Sequence, residues 1–138
     1  MLRKLKNILH AEGCSLVVGN ANKVETFRQR GVKDLLQLLH NAPQTLSGAS
    51  VADKVVGKGA AALMALGGVK ELYTAVISTP ALELMRNSGI AVEFDTETPA
   101  IINRAGTGPC PVEALCRDCR TPEECLPLIE NFVTNLPH

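Results

Sequence analysis

The chain has 138 residues, of which 46% are hydrophobic and 20% are charged, and its formal net charge is +0. This balance predicts one domain with a substantial core and argues against nucleic acid or an anionic membrane as the main partner. Aromatic residues make up only 3% of the chain and tryptophan is absent, so we do not expect a platform for stacking nucleic-acid bases.

The N-terminal segment is basic but has no apolar run long enough for a signal peptide, and no later stretch reaches membrane-spanning length. We therefore expect a cytoplasmic protein. Five cysteines are an odd number in a chain without secretory features, which favours free thiols over a disulfide framework. No repeat or linker divides residues 1–138, so a single domain is expected, and formation of a homo-oligomer stays open.

The first third of the chain predicts a helix, a hairpin and a second helix. Apolar residues at helical spacing followed by Gly13 predict an amphipathic helix over residues 2–12. Two short β-type runs on either side of a polar turn predict an antiparallel hairpin formed by residues 14–18 and 23–30. A leucine-rich stretch then predicts a helix over residues 32–41.

The densest signal lies between Ser50 and Gly68. Ser50 followed three residues later by Asp53 is typical of a capping box, which predicts a helix beginning near Val51. Apolar residues at helical spacing continue to Leu66, where a pair of glycines ends the pattern. We therefore predict that residues 51–66 form the central helix of the domain.

Two features of this predicted helix indicate a binding site. Gly57 and Gly59 each cost about 1 kcal/mol relative to alanine inside a helix, so a backbone or a ligand is expected to approach them closely. Lys54 and Lys58 lie four residues apart, in the first turns where the helix dipole is already positive. A bound anion would relieve the repulsion between the two lysines and the unfavourable position of their charges at the positive end of the helix. Two solvated lysines beside packed glycines would explain the same pattern.

The second half of the chain predicts alternating strands and helices. The predicted elements are a buried strand (71–78), a helix that begins at Pro80 and ends at Gly89, a hairpin (90–95 and 100–103), a short helix (109–119) and a last helix (122–135) capped by Thr121 and Glu124. With helices on both sides of five strands, we predict a three-layer α/β/α sandwich with a mixed five-stranded sheet.

This order of elements resembles a small uncharacterised prokaryotic family with a cytidine-deaminase-like fold. The resemblance covers nearly the whole chain. Its most specific pieces are Asp53-Lys54 with Gly57-Lys58, the Ser78-x-Pro80 turn, and the run from Gly106 to Glu113 that reads GTGPCPVE. The resemblance implies the fold and no activity.

The sequence departs from true deaminases where their zinc ligands would stand. Those enzymes need His-x-Glu at the start of the central helix and Pro-Cys-x-x-Cys at the start of the next. Here the predicted helix starts read ADK from Ala52 and PALEL from Pro80, which supply neither a thiolate nor an imidazole. The tripeptide from His10 to Glu12 matches the motif but ends the first helix. We expect no deaminase zinc and no cofactor, and none of the candidate site residues is assigned as a metal ligand.

A dinucleotide fingerprint is also present. Gly57, Gly59 and Ala62 fit the pattern G-x-G-x-x-A, but the predicted helix begins before the first glycine and the following strand ends without an acidic residue. We do not expect a dinucleotide site.

Four cysteines lie close together near the C-terminus. Cys116 and Cys119 have the spacing of metal ligands, with Cys110 before them and Cys125 after them. The segment is predicted to be helical and has no nearby histidine, which favours structural thiols. Metal binding or a redox role stays open as the alternative.

We expect a pocket where the start of the central helix meets Ser78 and residues 106–113. The catalytic candidates in it are Asp53, Lys58, Cys110 and Glu113, and the ligand-binding candidates are Lys54, Gly57, Ser78 and Gly108. The lysines would hold an anionic group, the carboxylates would transfer protons, and a thiol at a helix start is a candidate nucleophile. A small nucleotide-like or phosphorylated molecule fits this set best, whether or not the protein is an enzyme. The alternative is a non-enzymatic binding or scaffold domain.

Overall fold

The computed structural model describes residues 1–29, 32–102 and 110–135. In chain order, its elements are α1 (Leu2–Glu12), β1 (Leu16–Asn20), β2 (Lys23–Phe27), α2 (Lys33–Asn41), α3 (Pro43–Leu46), β3 (Ser50–Val56), α4 (Lys58–Gly67), β4 (Glu71–Ser78), α5 (Thr79–Asn87), β5 (Ala91–Thr98), α6 (Pro111–Cys116) and α7 (Pro122–Thr134).

The strands form one mixed sheet in the order β2-β1-β3-β4-β5. β1 pairs antiparallel with both β2 and β3, whereas β3, β4 and β5 run parallel. Each parallel connection is made by one helix, α4 between β3 and β4 and α5 between β4 and β5. The carboxyl ends of three strands and the starts of both helices therefore lie at one edge of the sheet.

Helices cover both faces of the sheet. On one face α1 packs through Leu5 and Leu9 against Val17 and Tyr73. On the other face the remaining helices surround α4, whose residues 58–64 are all buried. The predicted α/β class and mixed five-stranded sheet are confirmed, and the likeness to the deaminase fold stays a prediction.

The predicted start of the central helix is wrong. Residues 51–56 belong to strand β3, and α4 begins at Lys58. Ser50 does not cap a helix; its hydroxyl donates to the Glu71 carboxylate on the neighbouring strand at 2.5 Å. Val51, Val55 and Val56 are β-branched, a strand signal that the apparent helical spacing outweighed.

That spacing has a structural cause in the sheet itself. The pairing between β3 and β4 skips Lys54 and Ala75, and the pairing between β4 and β5 skips Asp95 at the same level. Val51 and Val56 consequently face the same core although they are five residues apart. A strand whose alternation shifts by one residue produces spacings that resemble a helix.

The second predicted hairpin is also wrong. The turn placed at residues 96–99 continues as strand up to Thr98, and β5 pairs along its length with β4. In the part of segment 100–103 that the structure describes, Ile102 forms an isolated bridge, and Asn103 lies outside the described residues. The fifth strand is therefore Ser50–Val56.

The remaining predicted elements are confirmed within a few residues. The β1–β2 hairpin forms, the buried strand spans Glu71–Ser78, and α7 is capped by Thr121, whose hydroxyl accepts from the Glu124 N–H at 3.3 Å. Among the helices described, none combines the length and apolar character needed to cross a membrane.

Candidate functional site

A small cleft lies at the carboxyl edge of the three parallel strands. Its volume is about 240 Å³. The residues that follow the three parallel strands line the cleft: Lys58 after β3, Pro80 after β4 and Pro99 after β5. The other wall comes from α6 and the turn after it; the lining residues there are Glu113, Ala114 and Arg117. Open α/β sheets bind ligands at this edge.

The centre of the cleft is a contact between α4 and α6. The Glu113 carboxylate accepts a hydrogen bond through Oε2 from the backbone N–H of Lys58, the first residue of α4. Glu113 is only 7% exposed. The carboxylate therefore caps the positive end of α4 across 55 residues of sequence, in the place where the sequence predicted a bound anion.

The second oxygen of Glu113 is unusual. Oε1 is buried and has no hydrogen-bond partner among the residues that the structure describes. Buried carboxylate oxygens are normally paired, because leaving an acceptor without a donor costs about 1–3 kcal/mol. Among the described residues, Oε1 of Glu113 therefore keeps an unused capacity to accept a hydrogen bond.

The two central glycines make room for α6. A side chain at Gly57 would place its Cβ 2.6 Å from Oε2 of Glu113, and one at Gly59 would collide with Val112. The predicted close approach is confirmed, but it is made by side chains of the protein rather than by a backbone or a ligand.

Lys54 and Lys58 do not share a helix face, which corrects the prediction. Lys54 is exposed on β3, whereas Lys58 is 9% exposed at the start of α4. The Lys58 ammonium donates to the carbonyl oxygens of Arg117 at 3.0 Å and Cys119 at 2.6 Å. Lys58 therefore holds the α6–α7 turn through its side chain and Glu113 through its backbone.

Asp53 does not line the cleft. It lies on β3 beside Asp34 of α2, and burial raises the pKa of Asp53 to about 7, with the Asp34 charge adding to the shift and backbone N–H groups of Lys54 and Val55 opposing it. Burial also raises the pKa of Asp34, whose carboxylate accepts from the Gln29 N–H at 3.1 Å. The charges of these two acids influence each other at a place apart from the cleft, which the sequence did not indicate.

Two other candidates have local structural roles. Ser78 is fully buried at the end of β4, and its hydroxyl accepts from the Ala81 N–H at 3.2 Å, which caps α5. Cys110 is half-buried at the start of α6, and its N–H donates to Ile101 at 2.8 Å. Gly108 lies outside the described residues. The structure thus brings Gly57, Lys58 and Glu113 into direct contact and leaves Asp53 and Lys54 apart from them.

Three of the cysteines come together behind the cleft. The sulfur atoms of Cys116, Cys119 and Cys125 all lie within 4.8 Å of one another. We refer to these three residues as the thiol cluster. Cys116 ends α6, Cys119 lies in the following turn with its N–H on the Cys116 carbonyl at 3.1 Å, and Cys125 is in the first turns of α7.

The thiols of the cluster influence one another. A hydrogen bond from Cys125 lowers the pKa of Cys116 against the effect of burial, and the same bond raises the pKa of Cys125. Burial, together with a hydrogen bond to Cys125, raises the pKa of Cys119 to about 11. The positive charge of Lys58 favours the thiolate form of all three.

The structure changes the reason for rejecting a dinucleotide. Gly57 and Gly59 do connect a parallel strand to a helix, which is the setting that the fingerprint requires. The place of the pyrophosphate, however, is taken by the Glu113 carboxylate, and Val112 packs onto Gly59. We still expect no dinucleotide site, but the reason is the packing of α6 against the two glycines and not a helix that begins before Gly57.

A polar network on the opposite face was not found from the sequence. The Tyr73 hydroxyl donates to Asp95 at 2.5 Å and lies 3.4 Å from His10, while the Lys6 ammonium lies 4.6 Å from the centre of the Tyr73 ring. Burial and the bond to Asp95 raise the pKa of Tyr73 to about 12. This network connects α1 to β4 and β5.

The topology and the cleft define a mixed α/β domain with a candidate ligand site at the carboxyl edge of its parallel strands. The chain belongs to the family of the domain of unknown function DUF1893, whose profile matches residues 4–133. It is similar to the crystal structure of a DUF1893 family protein from Thermotoga maritima, with 28% sequence identity over 94% of this chain and 88% of that chain and a TM-score of 0.86. No curated protein matches the chain.

Proposed function

We propose that this protein binds a small anionic molecule in the cleft beside the start of α4, without a deaminase-type zinc. The observation that carries the proposal is that Glu113 lines the cleft while its Oε1 is a buried acceptor without a partner in the described part of the chain. A molecule that donates a hydrogen bond to this oxygen would remove the cost of leaving it unpaired.

The cleft also offers a cation. Arg117 is exposed and lines the wall beside Glu113, so a phosphate or carboxylate on the same molecule can pair with its guanidinium group. The ligand class is therefore a small molecule with a hydrogen-bond donor and an anionic group, as in a nucleotide-like or phosphorylated compound. The volume of about 240 Å³ is below the usual range for larger cofactors.

A non-enzymatic scaffold role is the second candidate, and one observation favours it. Glu113 already occupies the end of α4, and the Lys58 ammonium already has two carbonyl partners. If the protein is a scaffold, the contacts of Glu113 and Lys58 serve only to hold α6 and the turn after it against α4.

The experiment compares the melting temperature of the full chain with and without adenosine monophosphate or inorganic phosphate at millimolar concentration. Binding to the folded state raises the melting temperature. We expect a rise in the parent and in Arg120→Met, a change at an exposed arginine that does not line the cleft, and most of the rise to be lost in Arg117→Met. No rise with either probe, or equal rises in all three proteins, would favour the scaffold role.

A further inference from the structure

The thiol cluster is a second chemical centre, and it does not belong to the cleft. None of its three cysteines lines the cleft, and the cluster lies where α6, the turn after it and the start of α7 meet. Cys116 and Cys125 are fully buried and Cys119 is half-buried. Single buried cysteines commonly pack as small hydrophobes, but here three sulfur atoms converge within 4.8 Å of one another, which burial alone does not require.

We propose that Cys116, Cys119 and Cys125 bind one zinc ion, with a fourth coordination position left to water or an external ligand. The geometry requires only a small contraction. Zn–S bonds of about 2.3 Å in a tetrahedron place the sulfur atoms about 3.8 Å apart, compared with separations of up to 4.8 Å here.

The surrounding charge fits a divalent ion. Three thiolates and one zinc ion leave a single negative charge, and the Lys58 ammonium supplies one positive charge at the turn, 2.6 Å from the Cys119 carbonyl oxygen. Lys58 is buried, so its charge is poorly screened by water. Thiolate ligands of this kind select zinc or copper(I) over magnesium or calcium, and the charge balance favours zinc.

Cys110 provides a matched control. It lies in the same segment, at the start of α6, but it is not among the three cysteines whose sulfur atoms meet. Cys14 is a second control on the opposite face, where it is buried against α1. The proposal therefore divides the five cysteines into three that bind zinc and two, Cys14 and Cys110, that do not.

The test is a cobalt(II) titration of the fully reduced chain. Cobalt reports thiolate ligands through sulfur-to-metal charge-transfer absorption, and one equivalent of zinc should remove the signal. We expect one cobalt per chain in the parent and in Cys110→Ser. In Cys119→Ser we expect binding weakened more than about 100-fold, beyond the 10–100-fold effect typical of outer-shell changes.

A second measurement needs no variant, in case a cluster substitution prevents folding. Zinc should protect Cys116, Cys119 and Cys125 of the parent from alkylation while leaving the rate at Cys110 unchanged, as read by mass spectrometry. The proposal is overturned if the reduced protein shows no charge-transfer signal, if Cys110→Ser loses the signal as fully as Cys119→Ser does, or if two cluster cysteines form a disulfide under mild oxidation and zinc protects none of them.

Discussion

The backbone N–H of Lys58 and the carboxylate of Glu113 meet at the start of α4 and connect the centre of the domain to its C-terminal segment. A carboxylate at the positive end of a helix is stabilised by the free N–H groups there. The same contact leaves the other carboxylate oxygen of Glu113 buried without a hydrogen-bond partner among the described residues.

This pair predicts different outcomes for two substitutions of Glu113. Glu113→Ala removes the cap and leaves the Lys58 N–H unpaired, so we expect a loss of about 1–3 kcal/mol in the free energy of unfolding. Glu113→Gln keeps an acceptor and removes a buried charge, so its loss should be under about 1 kcal/mol. Urea denaturation measures both, with Glu83→Ala on the exposed side of α5 as the control. Equal losses in the alanine and glutamine variants would contradict the capping role.

The raised pKa of Asp53 predicts that the stability of the protein depends on pH. Because burial raises its pKa in the folded state to about 7, above an ordinary value of 3.8, the folded protein binds a proton more tightly than the unfolded chain. The stability contributed by this group is complete below about pH 4 and is lost as the pH rises toward 7. Asp53→Asn should therefore be more stable than the parent at pH 8, by on the order of 4 kcal/mol, and about equal at pH 4.

Denaturation of both proteins at a series of pH values checks this. Asp118→Asn, a change at an exposed acid, serves as the control and should follow the parent. A difference between Asp53→Asn and the parent that stays constant with pH would show that Asp53 is not protonated in the folded state near neutrality.

Tyr73 can be followed alone, since the chain has one tyrosine and no tryptophan. We expect its ultraviolet absorbance to titrate near pH 12 in the folded protein and near pH 10 in denaturant. The folded pKa is raised, so stability is lost as the pH rises through this window. Asp95→Asn should lower the folded pKa only in part, because burial is the larger cause. An unchanged titration in Asp95→Asn would exclude the Asp95 contact.

Cys110 should react fastest with a small alkylating reagent at neutral pH. Cys14, Cys116 and Cys125 are fully buried, and Cys119 is half-buried with a pKa raised to about 11. Brief alkylation followed by mass spectrometry ranks the thiols. Lys54 is exposed on β3, and the Lys58 ammonium donates to carbonyl oxygens at the α6–α7 turn, so neither lysine is expected to speed this reaction. We expect Lys54→Met to leave the rate at Cys110 unchanged, and Cys110 reacting more slowly than Cys125 would contradict the burial argument.

The sequence predicted the parts of the fold that depend on local signals. The hairpin at β1 and β2, the buried strand β4 and the cap at Thr121 follow from turn residues, β-branched runs and a capping box. It failed at Ser50–Val56, because the shifted alternation in β3 depends on pairing with β4 and β5, which lie later in the chain. A single segment cannot show a shift that its neighbours impose.

The candidate site was predicted in the same uneven way. Gly57, Lys58 and Glu113 were selected correctly as neighbours, but their relation was not, since a protein carboxylate takes the position expected for a ligand. Repulsion between Lys54 and Lys58 on one helix face would mean that Lys58→Met stabilises the free protein. With two carbonyl partners for the buried ammonium, we now expect it to destabilise. Arg117 carried no signal in the sequence, because only the packing of α6 places it at the cleft.

The enclosure of α4 has a consequence for how the chain matures. Residues 58–64 are all buried, and part of their cover comes from α6 and α7, which are synthesised after α4. Before α6 and α7 have been synthesised, the apolar residues of α4 are not covered by them. The backbone N–H of Lys58 then also lacks its acceptor, the Glu113 carboxylate. A nascent chain therefore leaves the apolar residues of α4 partly uncovered until α6 and α7 have left the exit tunnel, and it completes its core only after these helices are made.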